Sequence, residues 1–353
     1  MRILHVLNGV PDTGNGIANV AVDLAVEQRH CGHDVAVASS GGGFVGLLRD
    51  HAVTHHDIEF RRRGPAALVQ AYRRLSAIIR EEEPQILHAH TLTPTVLAFV
   101  ATRLRRPRLI ATVHNEYQRG VVLMGLADRV VGVSEAVSAA MAARRVPRKK
   151  IRTVLNGTLG STRRPSLHGQ GALQLPPQSI VAVGAVSHRK GADVLLAAFE
   201  LVLDDFPKAH LYFVGHLDWS EPVDVARGKD WADHVHFVGF DAQPQRYLEE
   251  AAVFVLASRR DPMPLSLLEA MGAGVPIVAS DVDGVPEALE FGRAGVLARV
   301  GDPADLAAKI TALLGSEDSR RRFAAAARQR ASALTVETMT QRYIDIYRSA
   351  ASR

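Results

Sequence analysis

The sequence is poor in cysteine, in aromatic residues and in long apolar runs. Of its 353 residues only Cys31 is a cysteine, so no disulfide can form within the chain, which fits a reducing compartment. The longest apolar runs, such as 95–101, fall far short of the roughly 20 residues that a membrane-spanning helix needs. These absences exclude a disulfide scaffold and predict a chain without membrane spans. We expect Cys31 to be a small core residue.

The amino terminus carries no recognisable secretory signal. The first apolar run ends at Leu7, and turn residues follow at once. We therefore expect a cytoplasmic protein that is soluble or is attached only peripherally to the inner face of the membrane.

Positive charge is concentrated in the first half of the chain. Residues 1–164 carry 23 Lys and Arg against 13 Asp and Glu, a net charge of +10, and the remainder carries 19 against 24, a net charge of −5. The basic residues cluster at 61–63, 103–108 and 144–150. Such clusters attract phosphate groups in an anionic membrane or an acidic acceptor, or they form a solvated arginine-rich surface. Nucleic acid is disfavoured because few aromatic residues lie among these arginines to stack on bases.

Short apolar runs alternate with helix-like stretches along the whole chain. The predicted strands are 3–7, 35–38, 86–90, 109–114, 129–133 and 151–155 in the first half, and 180–183, 209–214, 234–237, 251–257 and 277–280 in the second. This alternation predicts parallel, doubly wound α/β sheets. Because 353 residues are many for one core, we expect two domains.

The composition changes between the two halves and again at the tail. Residues 163–178 are rich in Pro, Gly, Ser and Gln without a clear period, so we interpret them as a linker between domains 1–165 and 166–334. The tail, 335–353, is helical by pattern and must pack on another element, since its apolar residues share roughly one face: Met339, Tyr343, Ile346 and Tyr347.

The most informative segment, 258–280, contains the carboxylates Asp261 and Glu269. It follows a continuously apolar run that predicts a buried parallel strand, and it leads into a short helix. Ligands of open α/β sheets bind outside the carboxyl ends of the strands, where the amides and dipole of a helix attract anions. The segment therefore predicts an anion site with Asp261 in its loop.

Two other loops follow predicted strands. Gly14 and Gly16 precede a helix, where they allow backbone amides to approach an anion, although a plain turn explains them as well and the dinucleotide fingerprint is absent. Arg189 and Lys190 lie between a strand and a helix, and two fixed cations there suit a diphosphate. A basic pair on the surface is the alternative.

Polar residues at strand ends offer further candidates. His88 and His90 have the spacing of a metal pair, but no nearby carboxylate or cysteine completes a ligand set. His114 ends a predicted strand, where we expect a polar role at a sugar or an acid–base site. Asp281 and Asp283 match a two-carboxylate metal pattern of some sugar transferases, yet they lie in a Gly/Pro turn, so no metal is expected.

Taken together, the motifs resemble the retaining glycosyltransferases of family 4, which have the GT-B fold of two facing Rossmann-like domains with a cleft between them. The similarity spans nearly the whole chain and rests on these segments in this order: the glycine loop 8–19, then 32–35, 84–90, 111–114, 133–135, 155–157, 189–191, 235–239, 258–280 and 283–287.

The resemblance implies roles for the candidate residues. Glu269 would bind the ribose hydroxyls of a nucleotide sugar, Asp261 would hold hydroxyls of the transferred sugar, and Lys190 with Arg189 would neutralise the diphosphate. His114 would contact the sugar near the reacting carbon, and Gly14 with Gly16 would line the cleft. The amides at Leu265 and Ser266, which begin the helix, would help to hold the donor. The C-terminal helix would pack on the N-terminal domain.

Three positions depart from the family pattern, so the resemblance does not specify which sugar is transferred. Asp261 replaces the usual Glu, Pro264 stands where many members have Gly, and Ala185 stands where many have a phosphate-binding Arg. A nucleotide-sugar epimerase or a phosphorylase of the same fold remains an alternative, as does a non-catalytic nucleotide-sugar-binding scaffold. The implied partners are a UDP-, GDP- or ADP-sugar donor, a lipid-linked or anionic acceptor and an anionic membrane surface, with no cofactor or metal.

Overall fold

The computed structural model describes residues 1–62, 64–102, 107–163 and 173–351, which fold as two compact units. Unit 1 comprises the described residues of Met1–Arg163 and Thr335–Arg353, and unit 2 those of Arg164–Leu334. The predicted boundary at 165/166, most of the predicted linker, and the basic residues Arg63, Arg103, Arg105 and Arg106 lie outside the described residues.

Unit 1 is built on a parallel sheet of seven strands in the order β3-β2-β1-β4-β5-β6-β7. The strands are β1 (Arg2–Val6), β2 (Asp34–Ser39), β3 (Thr54–Asp57), β4 (Ile86–Ala89), β5 (Arg108–Val113), β6 (Arg129–Gly132) and β7 (Ile151–Thr153). The central strands are apolar and buried, as strands covered on both faces must be. The edge strand β3 was not predicted, because its sequence Thr-His-His-Asp has no apolar residue.

Within the described residues of the first part of unit 1, five α-helices follow these strands. They are α1 (Gly16–His30), α2 (Val45–Asp50), α3 (Pro65–Glu82), α4 (Leu92–Thr102) and α5 (Glu135–Ala143). The expectation that Cys31 is a core residue is wrong: it is exposed. Cys31 is the C-cap of α1, and its amide donates to carbonyls of the last helical turn while its side chain stays exposed at the helix end.

Unit 2 contains a second parallel sheet, of six strands in the order β10-β9-β8-β11-β12-β13. The strands are β8 (Ser179–Val183), β9 (His210–Val214), β10 (Val235–Gly239), β11 (Val253–Leu256), β12 (Ile277–Ser280) and β13 (Val296–Ala298). Chain order reverses between β8 and β11, as it does between β1 and β4 in unit 1. The prediction of two doubly wound α/β sheets is therefore confirmed.

The helices of unit 2 are α6 (Ala192–Asp205), α7 (Glu221–Arg227), α8 (Gln245–Glu250), α9 (Leu265–Ala273), α10 (Val285–Ala288), α11 (Pro303–Leu314) and α12 (Glu317–Ala331). A buried apolar core joins α6, α11 and the sheet around Phe199 and Ile310. The arginine-rich α12 was not predicted, since only Ala327 and Ala331 of its residues are buried.

The last helix, α13 (Val336–Ala351), returns to unit 1 and packs on α1 and β5. Its four apolar residues noted in the sequence, Met339, Tyr343, Ile346 and Tyr347, are all buried. Arg163, the last described residue of the first part of unit 1, forms a buried ion pair with Asp23 of α1.

Among the helices of the described residues, none is long and apolar enough to cross a membrane.

Candidate functional site

The candidate site of unit 2 lies where the strand order reverses. β8 and β11 are neighbours in the sheet, and the loops that leave their carboxyl ends lead into α6 and α9. In doubly wound sheets the usual ligand crevice lies at this position, outside the carboxyl ends of the strands. Lys190 lies in the first loop and Asp261 in the second.

The two predicted residues Lys190 and Asp261 are in direct contact. The Lys190 Nζ donates a hydrogen bond of 2.6 Å to Oδ2 of Asp261, and Nη1 of Arg189 lies 3.8 Å from the same oxygen. Asp261 is buried, and Lys190 is largely so. A buried carboxylate therefore faces two cations, and the ammonium group of Lys190 has two further N–H groups with which to bind a ligand.

Two residues that were not predicted hold Asp261 in position. The Asp261 amide donates to Oδ2 of Asp283 at 2.7 Å, and the Ser258 hydroxyl donates to Oδ2 of Asp261 at 3.1 Å. Asp283 adopts a positive φ of 49°, a backbone conformation that is costly for a residue other than glycine. The pattern Asp281-Val-Asp283 had drawn attention as a metal motif, but nothing in it indicated a contact with Asp261.

Residues that follow β11 hold the loop that carries Lys190 in place. Arg259 forms a two-point hydrogen bond to the carboxylate of Asp193, and it also donates to the carbonyl of His188. Arg189 donates to the carbonyl of Arg260 at 2.9 Å. Gly191 has a φ of 69°, and a Cβ there would overlap the carbonyl oxygen of Ala257. These contacts hold the loops after β8 and β11 against each other.

The helix α9 begins at Leu265 immediately after the Asp261 loop. Its N-cap is Pro264, whose side chain makes no capping hydrogen bond. The amides of Leu265 and Ser266 are therefore not capped by that side chain, and they form the positive end of the helix dipole. Glu269 lies one turn further along and is partly buried. The structure thus places these three predicted residues on the first turns of one helix.

In unit 1 the glycine loop precedes α1, and the start of this helix, unlike that of α9, is capped by a side chain. Gly14 has a φ of 74°, and Gly16 is the first residue of α1. The side chain of Asn15 caps this helix by accepting from the amides of Ile17 and Ala18 at 3.1 and 3.2 Å. Because Asn15 already binds these amides, the helix end offers an anion fewer donors than the glycines alone suggest.

His114 follows β5 and joins a cluster of histidines. Its Nε2 lies 3.1 Å from Nδ1 of His90, whose Nε2 is 2.9 Å from Nδ1 of His5. His5, His88 and His90 each offer a ring nitrogen within 4.8 Å of the others, which is close enough to hold a metal ion. Every ring nitrogen of these three residues nevertheless has a hydrogen-bond partner within the protein, so the cluster is satisfied by hydrogen bonds alone.

Burial keeps these histidines neutral. Desolvation lowers the pKa of His114 to about 3 and that of His5 to about 4, and it lowers the pKa values of His88 and His90 well below their usual range. A neutral imidazole donates one hydrogen bond and accepts one. At neutral pH His114 can therefore bind a hydroxyl group, but it does not carry the positive charge that would attract a phosphate.

Two family comparisons match the chain, one in each unit. Residues 14–158 match Glycosyltransferase Family 4, and residues 177–316 match Glycosyl transferases group 1. Together the two matches cover most of the chain and include most of the candidate residues described above.

Individual relatives align along nearly their whole length. The chain is 25% identical to a phosphatidyl-myo-inositol mannosyltransferase of Mycobacterium leprae, over 97% of this chain and 95% of the relative. It is 23% identical to the N-acetyl-alpha-D-glucosaminyl L-malate synthase of Bacillus anthracis, over 90% and 88%. Among solved structures, Anabaena HepE in complex with UDP superposes with a TM-score of 0.82 at 20% identity, covering 99% of this chain and 100% of HepE. This likeness confirms the predicted GT-B fold.

Proposed function

Because the chain belongs to the group 1 glycosyltransferases of family 4, we propose that it transfers a sugar from a nucleotide-diphosphate sugar to an acceptor hydroxyl with retention of configuration. The observation that carries this proposal is the contact between Lys190 and Asp261 at the strand-order reversal of unit 2, directly before the start of α9. The pair brings an ammonium group and a carboxylate together at the position where ligands of this kind of sheet bind, which supports the proposal.

The donor is divided among the residues of this crevice. Glu269 binds the ribose hydroxyls, Asp261 accepts hydrogen bonds from hydroxyls of the transferred sugar, and Lys190 donates to the diphosphate. Arg189 is half exposed and lies 3.8 Å from Asp261, so it can reach a phosphate oxygen without leaving the loop. Arg189 thereby supplies the positive charge that many family members have at the position of Ala185. For unit 1, considered by itself, we assign His114 to a hydroxyl group of the sugar and the amides of the Gly14–Gly16 loop to binding of the donor.

The leaving diphosphate is stabilised without a metal ion. Negative charge grows on the diphosphate as its bond to the sugar breaks, and fixed donors that face this charge lower the barrier. The donors are Lys190, Arg189 and the first amides of α9, whose dipole adds to their effect. The acceptor attacks the face from which the diphosphate departs, and the proton of its hydroxyl passes to the departing phosphate.

An anionic or lipid-linked acceptor fits the surface of unit 1. Arg119, Arg144 and Arg145 line one surface pocket with Val122, and Val122 and its neighbour Leu123 are exposed. Cations beside exposed apolar residues suit a lipid headgroup and the acyl chains below it. The mycobacterial relative acts, by its name, on a phosphatidyl-inositol, and Anabaena HepE has been solved with UDP-glucose. We therefore assign the protein to glycolipid or polysaccharide synthesis.

A transfer assay tests the reaction. The protein is incubated with UDP-, GDP- and ADP-sugars and a lipid extract, and free nucleoside diphosphate and the anomeric configuration of the product are measured. Release of the nucleoside diphosphate together with a new glycoside that has the same anomeric configuration as the donor sugar supports the proposal. An isomerised nucleotide sugar would instead indicate an epimerase, and binding without turnover would indicate a scaffold; both outcomes contradict the proposal.

Membrane attachment has a separate test. Vesicles with and without anionic lipid are sedimented with the protein at low and at high salt. We expect binding to anionic vesicles at low salt that weakens at high salt and in the variant Arg144→Ser/Arg145→Ser. The matched control, Arg227→Ser/Arg321→Ser, removes two exposed arginines of unit 2 and should bind like the wild type. No binding to anionic vesicles at low salt would reject membrane attachment.

A further inference from the structure

A continuous chain of side-chain hydrogen bonds runs through unit 1 and ends at His114. Its seven hydrogen bonds measure 2.7–3.2 Å, and every member except His114 is buried. From one end to the other the members are His114, His90, His5, Gln28, Tyr347, His88, Thr112 and Tyr343. The chain therefore links the partly exposed His114 to the helix α13.

The fold explains why these polar residues meet. His5 of β1 and His88 of β4 are direct partners in the register of the parallel sheet. Side chains two residues apart on a strand point to the same face, so His90 follows His88 on that face. Gln28 of α1 and the tyrosines of α13 cover the same face. Burial by two helices leaves these groups no solvent, and each must find a partner within the protein.

Gln28 decides the direction of the histidine arm of the chain. Its Oε1 lies 2.8 Å from Nε2 of His5, and an amide oxygen only accepts, so this nitrogen carries the hydrogen of His5. In neutral His5 the Nδ1 then accepts from Nε2 of His90. The Nδ1 of His90 in turn accepts from Nε2 of His114. This order leaves Nδ1 of His114 as a free lone pair.

The tyrosine arm has the same direction. The Nε2 group of Gln28 donates to the Tyr347 hydroxyl at 3.2 Å, and that hydroxyl donates to Nδ1 of His88 at 2.7 Å. The Nε2–H of His88 then donates to the Thr112 hydroxyl. A rotation of the Gln28 amide would reverse every bond of both arms, so the tautomer of His114 is coupled to Tyr347.

We propose that His90 is a positioning residue for sugar transfer: it accepts the Nε2–H of His114 and so presents Nδ1 of His114 as the acceptor for a hydroxyl group of the transferred sugar. This inference rests on the proposed function and assigns to that site the hydrogen-bonding state of its histidine. A donor sugar is then recognised by a hydroxyl that donates to His114.

The charge of the reaction agrees with this assignment. The sugar ring becomes positively charged in the transition state, as it does in other glycosyl transfers of oxocarbenium character. An imidazolium ion beside it would oppose that charge, whereas a neutral lone pair does not. Burial lowers the pKa of His114 to about 3, so the residue stays neutral throughout the physiological range. Burial thus keeps the imidazole of His114 neutral, and the chain of hydrogen bonds sets the direction of its hydrogen bond to the sugar.

The test measures the tautomer and the turnover separately. Long-range 1H–15N NMR on the full chain with 15N-labelled histidine shows which ring nitrogen of His114 carries the hydrogen, and we expect Nε2. In His90→Phe the acceptor is lost, so we expect a mixture of His114 tautomers and a kcat lower by about 10- to 100-fold, the usual cost of an unmade buried hydrogen bond, with little change in KM.

Two variants control for mere packing effects. His90→Asn supplies a carbonyl acceptor again, and we expect it to restore the Nε2 tautomer and most of kcat. His56→Asn changes another buried histidine of unit 1, which pairs with Glu82 and has no part in the chain, and it should leave the tautomer and kcat unchanged. If His90→Phe does not fold, Tyr347→Phe removes only a hydroxyl and should likewise mix the tautomers of His114.

The outcomes separate this inference from the proposed function. An active wild type with its hydrogen on Nδ1 of His114 would overturn the inference alone, as would an unchanged tautomer in His90→Phe or, if that variant does not fold, in Tyr347→Phe. A folded wild type that has the expected tautomer but transfers no sugar would reject the proposed function, and with it the sugar as the ligand of His114.

Discussion

Lys190 and Asp261 are 71 residues apart in the sequence, yet the Lys190 Nζ lies 2.6 Å from Oδ2 of Asp261. The contact joins the loops that leave two neighbouring strands of unit 2. It also sets the charge of the site, because the carboxylate that we assign to the sugar lies against the ammonium group that we assign to the diphosphate.

Removing the ammonium group should impair turnover more than folding. In Lys190→Ala, Asp261 loses the ammonium group at 2.6 Å and keeps Arg189 at 3.8 Å, and the diphosphate loses a preorganised donor. We expect kcat/KM to fall by at least ~100-fold. The control, Lys229→Ala, breaks a lysine–carboxylate pair of similar length with Glu200 on the surface of unit 2 and should retain normal turnover. Equal activity of the two variants would remove Lys190 from the site.

A methyl group at Gly191 should destabilise unit 2. The added Cβ would overlap the carbonyl oxygen of Ala257, and the left-handed φ of 69° adds roughly 1–2 kcal/mol for an L-residue. We expect Gly191→Ala to lower the urea midpoint strongly and to abolish donor binding. The control is Gly228→Ala, since Gly228 has an ordinary φ of −86° and a Cβ there would make only ordinary contacts, at 3.7 Å or more. A Gly191→Ala protein as stable as this control would contradict the close contact between Gly191 and the carbonyl group of Ala257.

The buried ion pair of Asp23 and Arg163 should matter for the stability of unit 1. Both side chains are almost fully buried, and two hydrogen bonds of 2.7 and 2.8 Å join them. Truncating one partner leaves the other charged and buried, which costs about 3–5 kcal/mol. We therefore expect Asp23→Ala to lower the free energy of unfolding by that amount. In contrast, Glu317→Ala breaks an exposed pair with Arg321 and should cost less than about 1 kcal/mol.

The buried histidines make the stability of unit 1 sensitive to acid. Burial lowers the pKa of His5 to about 4 and of His114 to about 3, and it lowers the pKa values of His88 and His90 well below normal. The unfolded chain binds protons at these residues near pH 6.5, but the folded chain does not. The stabilisation is therefore complete above about pH 6.5 and is lost as the pH falls toward the folded values.

The size of this effect is measurable by denaturation. Each histidine that unfolding protonates contributes about 1.4 kcal/mol per pH unit. Urea unfolding at several pH values between 7 and 5 should show a free energy that falls with decreasing pH, and proton uptake on unfolding that approaches four. A free energy that is independent of pH in this range would show that the histidines titrate normally in the folded state.

The alternating apolar runs predicted eleven of the thirteen strands of the described residues, because strands covered on two faces are apolar throughout. The edge strand β13 was missed because it has only three residues. Polar elements escaped this signal. Strand β3 has no apolar residue, and α12 buries only two alanines, so neither shows a recognisable period. Cys31 is exposed although its residue type favours burial, because it lies at the end of α1.

The site was only partly accessible from the sequence. The motifs indicated Lys190 and Asp261, which lie in loops after strands, and Glu269, which lies one turn into α9. The contact of Asp283 with the Asp261 amide spans 22 residues, and that of His88 with Tyr347 spans 259. Contacts of this kind depend on how strands and helices pack side by side, which no local spacing reveals.

The most direct test of the account is nucleotide binding measured by thermal shift. A ligand that binds only the folded state raises the melting temperature, and its stabilisation grows with the logarithm of the ligand concentration divided by Kd. Among UDP, GDP, ADP and their sugars, we expect one nucleotide series to stabilise the wild type, and we expect Glu269→Ala and Lys190→Ala to lose most of that stabilisation. Each shift is measured against the same variant without ligand, because Lys190→Ala leaves the buried Asp261 with one cationic partner fewer and lowers the melting temperature by itself. No stabilisation of the wild type by any of these nucleotides, or equal stabilisation of Glu269→Ala, would contradict the central claim that this crevice binds a nucleotide sugar.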